Sequence, residues 1–291
     1  MTKTISIHTV AKDAIRLDYH LECMLKHHVQ FADEVIVMEG YSSDGTFERI
    51  KDIDPKIKIV RKRWNATDSY LDFVELGRKE CSGDWCLKLD ADEFLPEWEW
   101  DRLRKYIDST EDAVAAIHLK NFYGSYEVFH KDPGKLRWPE FKWCIHPNTE
   151  KYEFWGDASN VHEIGEDANA CRTGDNFEVH HFGTVRHAAR LREKWRTQSI
   201  RNQKHSGKYD DIRKIRMLPK WLFDLLPHNW LDEDIIGDLG VYEGPFMEVV
   251  VDNPHEFTRD KNKVRRYLEA HLSYGLMASP DQSNSKDDDE K

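Results

Sequence analysis

An α/β protein with a mainly parallel central sheet flanked by helices is the fold class this sequence predicts, and three observations predict it. Strand-like apolar runs alternate with segments of helical periodicity through residues 1–120. Each of those runs ends in polar or acidic residues. The fourth run, residues 85–94, reads WCLKLDADEF, an apolar stretch that stops at three carboxylates. Strands buried on both faces read as such runs, and strand–helix alternation implies right-handed crossovers with ligand sites outside the carboxyl ends of the strands.

The elements follow in order. Residues 4–10 alternate and exit through Ala11-Lys12-Asp13, a first strand. Leu17, Leu21, Met24, Leu25 and Val29 recur at helical spacing, which predicts a helix over 14–31. A second strand, 35–38, leads into the turn-rich Glu39-Gly40-Tyr41-Ser42-Ser43-Asp44-Gly45-Thr46, where Ser43 or Asp44 caps the helix carrying Phe47 and Ile50. A third strand, 57–60, precedes Arg61-Lys62-Arg63-Trp64. Ser69 and Asp72 form a capping box for a helix to Cys81, with Gly83 as its stop. Pro96 opens a helix through 107, and 114–119 is another strand.

Regularity is lost over 121–175, read as the acceptor-side half of the same domain, residues 121–205. A late strand over 177–182 carries His180 and His181, which alternation places on opposite faces. Residues 184–204 read as a basic helix, with Arg186, Arg190, Arg192, Lys194, Arg196, Arg201 and Lys204 against Glu193 alone. Its basic face either is solvated or neutralises a diphosphate or an acidic acceptor. Residues 206–278 form a helical, aromatic extension with a last helix over 262–272, and 279–291 read as a disordered tail.

Composition excludes several classes. The chain has 291 residues, 39% hydrophobic and 33% charged, ordinary for a globular protein, with no apolar run long enough to span a membrane. The start lacks the apolar core of a signal peptide, and a cytoplasmic protein is expected. Cys23, Cys81, Cys86, Cys144 and Cys171 are an odd set without C-x-x-C pairs, so reduced thiols are expected in place of a disulfide framework or zinc knot. At a net charge of -11 the molecule repels nucleic acid, and any anionic ligand needs a local basic patch.

Asp90, Asp92 and Glu93 place three negative charges within four residues. A divalent cation is the simplest compensation, and Mg²⁺ or Mn²⁺ held by one or two carboxylates plus substrate phosphates suits a nucleotide diphosphate. A solvated acidic turn is the plain alternative.

Taken together, ISIHTVAKDA, VIVMEGYSSDGT and GDWCLKLDADEF resemble the nucleotide-sugar glycosyltransferases of the GT-A fold, family two in particular. FYGSY at 122–126, VHE at 161–163 and HHFG at 180–183 extend the likeness to about Lys204. The resemblance implies a first strand ending beside the base (Thr9, Val10, Ala11). It implies an acidic second-strand end with its loop (Glu39, Asp44), and a D-x-D (Asp90-Ala91-Asp92) that holds metal and diphosphate. It gives Asp92 as direct metal ligand, Asp90 to the ribose or the metal, and His181 as a further metal or diphosphate ligand, in competition with His180. Two departures stand out. Glu39 replaces the usual Asp, and Val74-Glu75 replaces an Arg-Asn pair, so Arg61, Arg63 or Arg78 has to supply positive charge.

The function so implied is a Mn²⁺- or Mg²⁺-dependent transfer of a sugar from a nucleotide sugar, UDP-hexose first, to a hydroxyl of a glycan, lipid-linked or small-molecule acceptor. Inversion is expected, with Glu163 as the base and Asp157 in reserve; a retaining course needs neither. Self-association is left open. A nucleotidyltransferase is the second enzyme reading, though Thr9 to Asp13 lacks its Gly-rich basic loop. An inactive nucleotide-sugar or carbohydrate-binding protein is the third.

Overall fold

Ile5 and Ile7 on one face of the first strand and Ser6 and His8 on the other are all fully buried, so β1 (Ile5–Ala11) has no solvent face in this region. The computed structural model describes residues 2–64, 68–111, 113–131, 141–156, 158–167, 172, 174–187, 189–191, 193–194, 197, 238–248, 258–264 and 266. Among these, β1 takes β2 (Glu34–Glu39) on one side and β4 (Trp85–Lys88) on the other, both parallel, and β3 (Ile57–Arg61) adds in parallel to β2. Beyond β4 the sheet changes character. It continues through β8 (Phe141–Pro147), β6 (Ala115–Asn121), β11 (Asn176–His181) and β5 (Glu93–Phe94), giving the order β3-β2-β1-β4-β8-β6-β11-β5. β6 and β11 are parallel; β8 is antiparallel to both its neighbours, and β11 to β5.

This is the expected α/β architecture, a mainly parallel central sheet flanked by helices. Register sets Ala11, Glu39 and Arg61 in one row at the carboxyl ends of β1 to β3. The sheet runs without a break from the first 120 residues into β8 and β11.

Helix α3 (Tyr70–Lys79) covers the Ser6/His8 face, held at its start by the expected capping box between Ser69 and Asp72. The opposite face takes α1 (Leu21–His28) and α4 (Glu97–Ser109), joined where Phe31 stacks on Trp100 at 5.6 Å. A short α2 (Thr46–Ile50) follows the β2 loop.

Three expectations are corrected here. The first helix begins at Leu21, not at Ala14, because the preceding segment is a folded loop. Asp13 and Asp18 take φ of 51° and 53°, and the N–H groups of Ala14 and Arg16 are donated to Thr46 Oγ1 and Asp44 Oδ2. Gly83 is not a left-handed stop: α3 already ends at Glu80 in right-handed conformation. A β-carbon at Gly83 would lie 2.8 Å from Ser6 Oγ and 3.0 Å from Ser6 N, so the glycine serves a close approach to β1. The supposedly irregular stretch after Asn121 holds β7 (Val128–His130), β8 and a hairpin of β9 (Tyr152–Trp155) with β10 (Asn160–Glu163). β7 pairs with a strand outside that stretch, β12 (Leu239–Val241).

In the basic segment, residues 189–191 and 193–194 are helical; Arg192, Arg196, Arg201 and Lys204 lie outside the described residues. So do most of 206–278 and all of 279–291. No helix among the described residues is long and apolar enough to cross a membrane.

Between the sheet and the β9–β10 hairpin lie two fully buried imidazoles, His8 and His146. Burial pushes His146 down to about 4, so it is neutral in the folded protein near pH 7. A base depressed below its unfolded value of about 6.5 contributes stability that is present above that value and lost as pH falls toward the folded value. Stability to urea is therefore expected to drop by a few kcal/mol between about pH 6.5 and pH 4. His146→Asn should flatten that limb, and an unchanged slope in the variant would show that other groups set it.

Candidate active site

The row at the carboxyl ends of β1 to β3 is occupied from within. Glu39 is fully buried and accepts from Ser42 N at 2.6 Å, Tyr41 N at 3.1 Å and Arg61 Nε at 2.8 Å. Burial would raise its pKa, but the bonds from Ser42 and Arg61 prevail and hold it low. The longer side chain thus wraps the turn that follows β2. Arg61 lies between the rings of Tyr41 and Phe47, at 4.3 and 4.0 Å from their centroids. Asp44 accepts from Arg16 N at 2.7 Å and from Thr46 N and Oγ1 at 3.0 and 2.6 Å, tying that turn to the loop after β1. Glu39 and Asp44 are therefore loop organisers here. Thr9 is buried and Val10 and Ala11 line the same strand end.

Past Lys88 the chain turns tightly, with Glu93 N donating to Asp90 O at 3.0 Å and Asp90 N to Glu93 Oε2 at 2.9 Å. That turn sends the carboxylates two ways. Asp90 Oδ1 accepts from Lys88 Nζ at 2.7 Å and Tyr70 OH at 2.5 Å; its Oδ2 accepts from Lys142 Nζ at 2.8 Å. Lys142 also pairs with Glu93. Asp92 Oδ2 accepts from Arg186 and Lys194, each at 2.7 Å, and its Oδ1 lies 3.8 Å from His181 Nε2.

Burial opposes ionisation at both aspartates, yet Lys142 and Lys88 hold Asp90 well below the carboxylate range, and Lys194 and Arg186 do the same for Asp92. Both are carboxylates at any working pH. Glu93 goes the other way: its burial pushes it up in spite of Lys142.

His181 has a defined tautomer. Asn121 Nδ2 donates to Leu119 O at 3.2 Å, which turns Asn121 Oδ1 toward His181 Nδ1 at 2.6 Å. Nδ1 therefore carries the hydrogen and Nε2 the lone pair. Burial lowers the imidazole to about 3, so it is neutral. Two acceptors, Nε2 and Asp92 Oδ1, then face each other at 3.8 Å and would suit a divalent ion. The HHFG glycine completes the cradle, since a β-carbon on Gly183 would overlap Nε2 itself. These residues fit a metal with two protein ligands. Among the described residues no group of three or more His, Cys, Asp or Glu is arranged for one, so the remaining positions would fall to ligand oxygens and water.

Other expected residues are placed elsewhere. His180 points away from His181, into a cluster with Phe122 and Tyr242. Arg78 sits in the last turn of α3, bonded to Glu75 and Thr149 O; that turn lies about 12 Å of helix from Tyr70 and the Asp90 end. Glu163 pairs with Lys151 at 3.2 Å and lies opposite Tyr152, whose ring packs 5.7 Å from His146. His146 faces Cys86 at the start of β4, so Glu163 is at the opposite end of the strand from Asp90. The hairpin meets β8 near the site through Asn160, which accepts from Trp143 N, and Glu163 lies at the other end of that hairpin. Asp157 lies outside the described residues. Ala91 is buried between the two aspartates.

Sequence reasoning missed Lys88, Lys142, Tyr70 and Asn121. Only Lys88 left a signal, as a lysine inside an apolar run.

With this geometry in view, the comparisons with known proteins are as follows. Residues 21–163 match the family described as Glycosyl transferase family 2. No curated protein matches the chain. Among solved structures, S. aureus TarS aligns with 12% identity over 74% of this chain and 42% of its own, with a TM-score of 0.42. TarS 1–349 in complex with UDP-GlcNAc gives the same identity, 74% and 70% coverage and a TM-score of 0.42. Glucosyl-3-phosphoglycerate synthase from Mycobacterium tuberculosis, in complex with Mn²⁺, UDP and phosphoglyceric acid, aligns with 17% identity over 41% of this chain and 43% of its own, at 0.33. The chain thus spans less than half the length of the full TarS chain it aligns with.

Lys142 is the cation that joins Asp90 to Glu93, and removing one partner of a buried ion pair leaves the other uncompensated. Lys142→Met should cost about 3–5 kcal/mol in urea unfolding. Adding Asp90→Asn should return part of that loss. A Lys142→Met protein as stable as the parent would show that water, not Lys142, compensates the pair.

Proposed function

With residues 21–163 matching glycosyl transferase family 2, we propose that this protein transfers a sugar from a nucleotide-sugar donor, UDP-hexose first, to a hydroxyl acceptor. A Mn²⁺ or Mg²⁺ ion would be held by Asp92 and His181. The observation that carries the reading is the approach of His181 Nε2, its hydrogen held on Nδ1 by Asn121, to the buried Asp92 carboxylate at 3.8 Å.

When bound, the ion supplies charge neutralisation to the leaving diphosphate. The chain's own residues do the rest. Asn121 fixes the His181 tautomer, which keeps the ring oriented without a search among rotamers. Arg186 and Lys194 hold Asp92 by one oxygen and so aim the other at His181. Asp90, locked by Lys88, Lys142 and Tyr70, shapes the floor of the site. Inversion at the anomeric carbon is the proposed course, and proton NMR of the first-formed product reads it directly.

Mn²⁺-dependent hydrolysis of UDP-hexoses, assayed without acceptor, is the test. Asp92→Asn and His181→Ala should each lower the rate roughly 100-fold or more, the scale of several kcal/mol of leaving-group stabilisation. Glu163→Gln should stay within about twofold of the parent, as expected of a surface substitution far from the chemistry. Absence of both turnover and binding with every nucleotide sugar, with metal present, would overturn the reading.

A further inference from the structure

We infer that Arg186 and Lys194 form a protein-borne site for the diphosphate of the donor, one that works beside the metal ligands and retains affinity without metal. The inference rests on the donor reading above and adds the groups that meet the phosphates.

Four observations carry it. Arg186 and Lys194 both donate to the same oxygen of Asp92, and neither has a second carboxylate within ion-pair distance among the described residues. The neighbouring acid, Glu193, is taken by Arg16 and Arg190. This corner of the site thus sets two basic side chains against one carboxylate. The other corner is balanced, with Lys88 and Lys142 against Asp90 and Glu93.

The second observation is an unused donor. The Arg186 side chain is fully buried, its two terminal nitrogens bond Leu17 O and Asp92, and its Nε has no hydrogen-bond partner among the described residues. Burying a donor unmade costs about 1–3 kcal/mol, and burying a surplus cation costs more. Third, both cations rest on the face of Tyr19, at 4.5 and 4.9 Å from its centroid, so they are packed side by side in spite of their repulsion. Fourth, Lys194 also donates to Gly183 O at 3.2 Å, which places the pair at the same glycine that His181 Nε2 packs against.

A diphosphate answers each of these. It brings two or more negative charges and several acceptor oxygens, and a guanidinium fork beside an ammonium is suited to such an oxygen array. Asp92 is then shared: one oxygen toward the metal, the other holding the two cations until the phosphates arrive.

Isothermal titration of the intact protein with UDP and with inorganic pyrophosphate, first in EDTA and then in Mn²⁺, tests this. Wild type should bind both probes in EDTA and more tightly in Mn²⁺. Lys194→Gln and Arg186→Lys should each weaken metal-free binding about tenfold or more, as loss of a charged hydrogen bond does. His181→Ala should lose the gain from Mn²⁺ and keep the metal-free affinity. Arg190→Gln, an exposed cation of the same segment, should bind as wild type. Binding by wild type only when Mn²⁺ is present would overturn the cation site and leave the donor reading intact. So would folded Arg186→Lys that binds as wild type in EDTA. No binding of UDP by wild type in either condition would instead strike the donor reading itself.

Discussion

Three carboxylates within four residues, Asp92 and Glu93 buried and Asp90 partly so, cannot crowd a strand end unless each is met by positive charge, and the architecture of the second half of the chain follows from that requirement. Lys142 comes from β8 to Asp90 and Glu93, while Arg186 and Lys194 come from beyond β11 to Asp92. β8 enters the sheet next to β4, antiparallel, which brings Lys142 to the carboxyl end where β4 hands over to Asp90. β11 pairs with Glu93-Phe94 itself. Phe182 N donates to Asp92 O at 2.9 Å, so the chain that delivers His181 is stitched to the motif it serves.

The parallel half of the fold was legible because its signals are local. Capping at Ser69, apolar continuity in β1 and β4 and the turn chemistry after β2 all act over a few residues. The length of α1 was not legible. Leucines at helical spacing extend back to Leu17, but the donors that would start a helix at Ala14 are captured by Asp44 and Thr46, about thirty residues away in sequence. Periodicity carries no information about such a competitor. For the same reason the strands after Asn121 were hidden: β8 and β9 are set by partners in β4, β6 and β10.

The site divides along the same line. That Asp90, Asp92 and His181 would gather was readable, because the resemblance fixed their order and alternation separated His181 from His180. The partners of those residues were not readable. Lys142 is one of many lysines, and nothing in FKWCIHP marks it as the counter-charge of a motif some fifty positions earlier. Glu163 shows the converse. Its neighbours VHE fit a pattern, yet pairing with Tyr152 fixes it at the far end of the hairpin, and a one-dimensional motif has no direction.

Two aspartates one residue apart end in different chemistry because the turn between them divides their surroundings. Asp90 is closed: each oxygen accepts from an ammonium, and Tyr70 adds a third donor. Asp92 is asymmetric, with both cations on one oxygen and a neutral imidazole nitrogen opposite the other. A carboxylate that is held without being saturated can take an ion and still stay in place. That asymmetry, more than the D-x-D spacing, is what separates the two carboxylates, and Asn121 supports it by fixing one proton on His181. In the reversed tautomer Nε2 would turn a hydrogen, not a lone pair, toward Asp92.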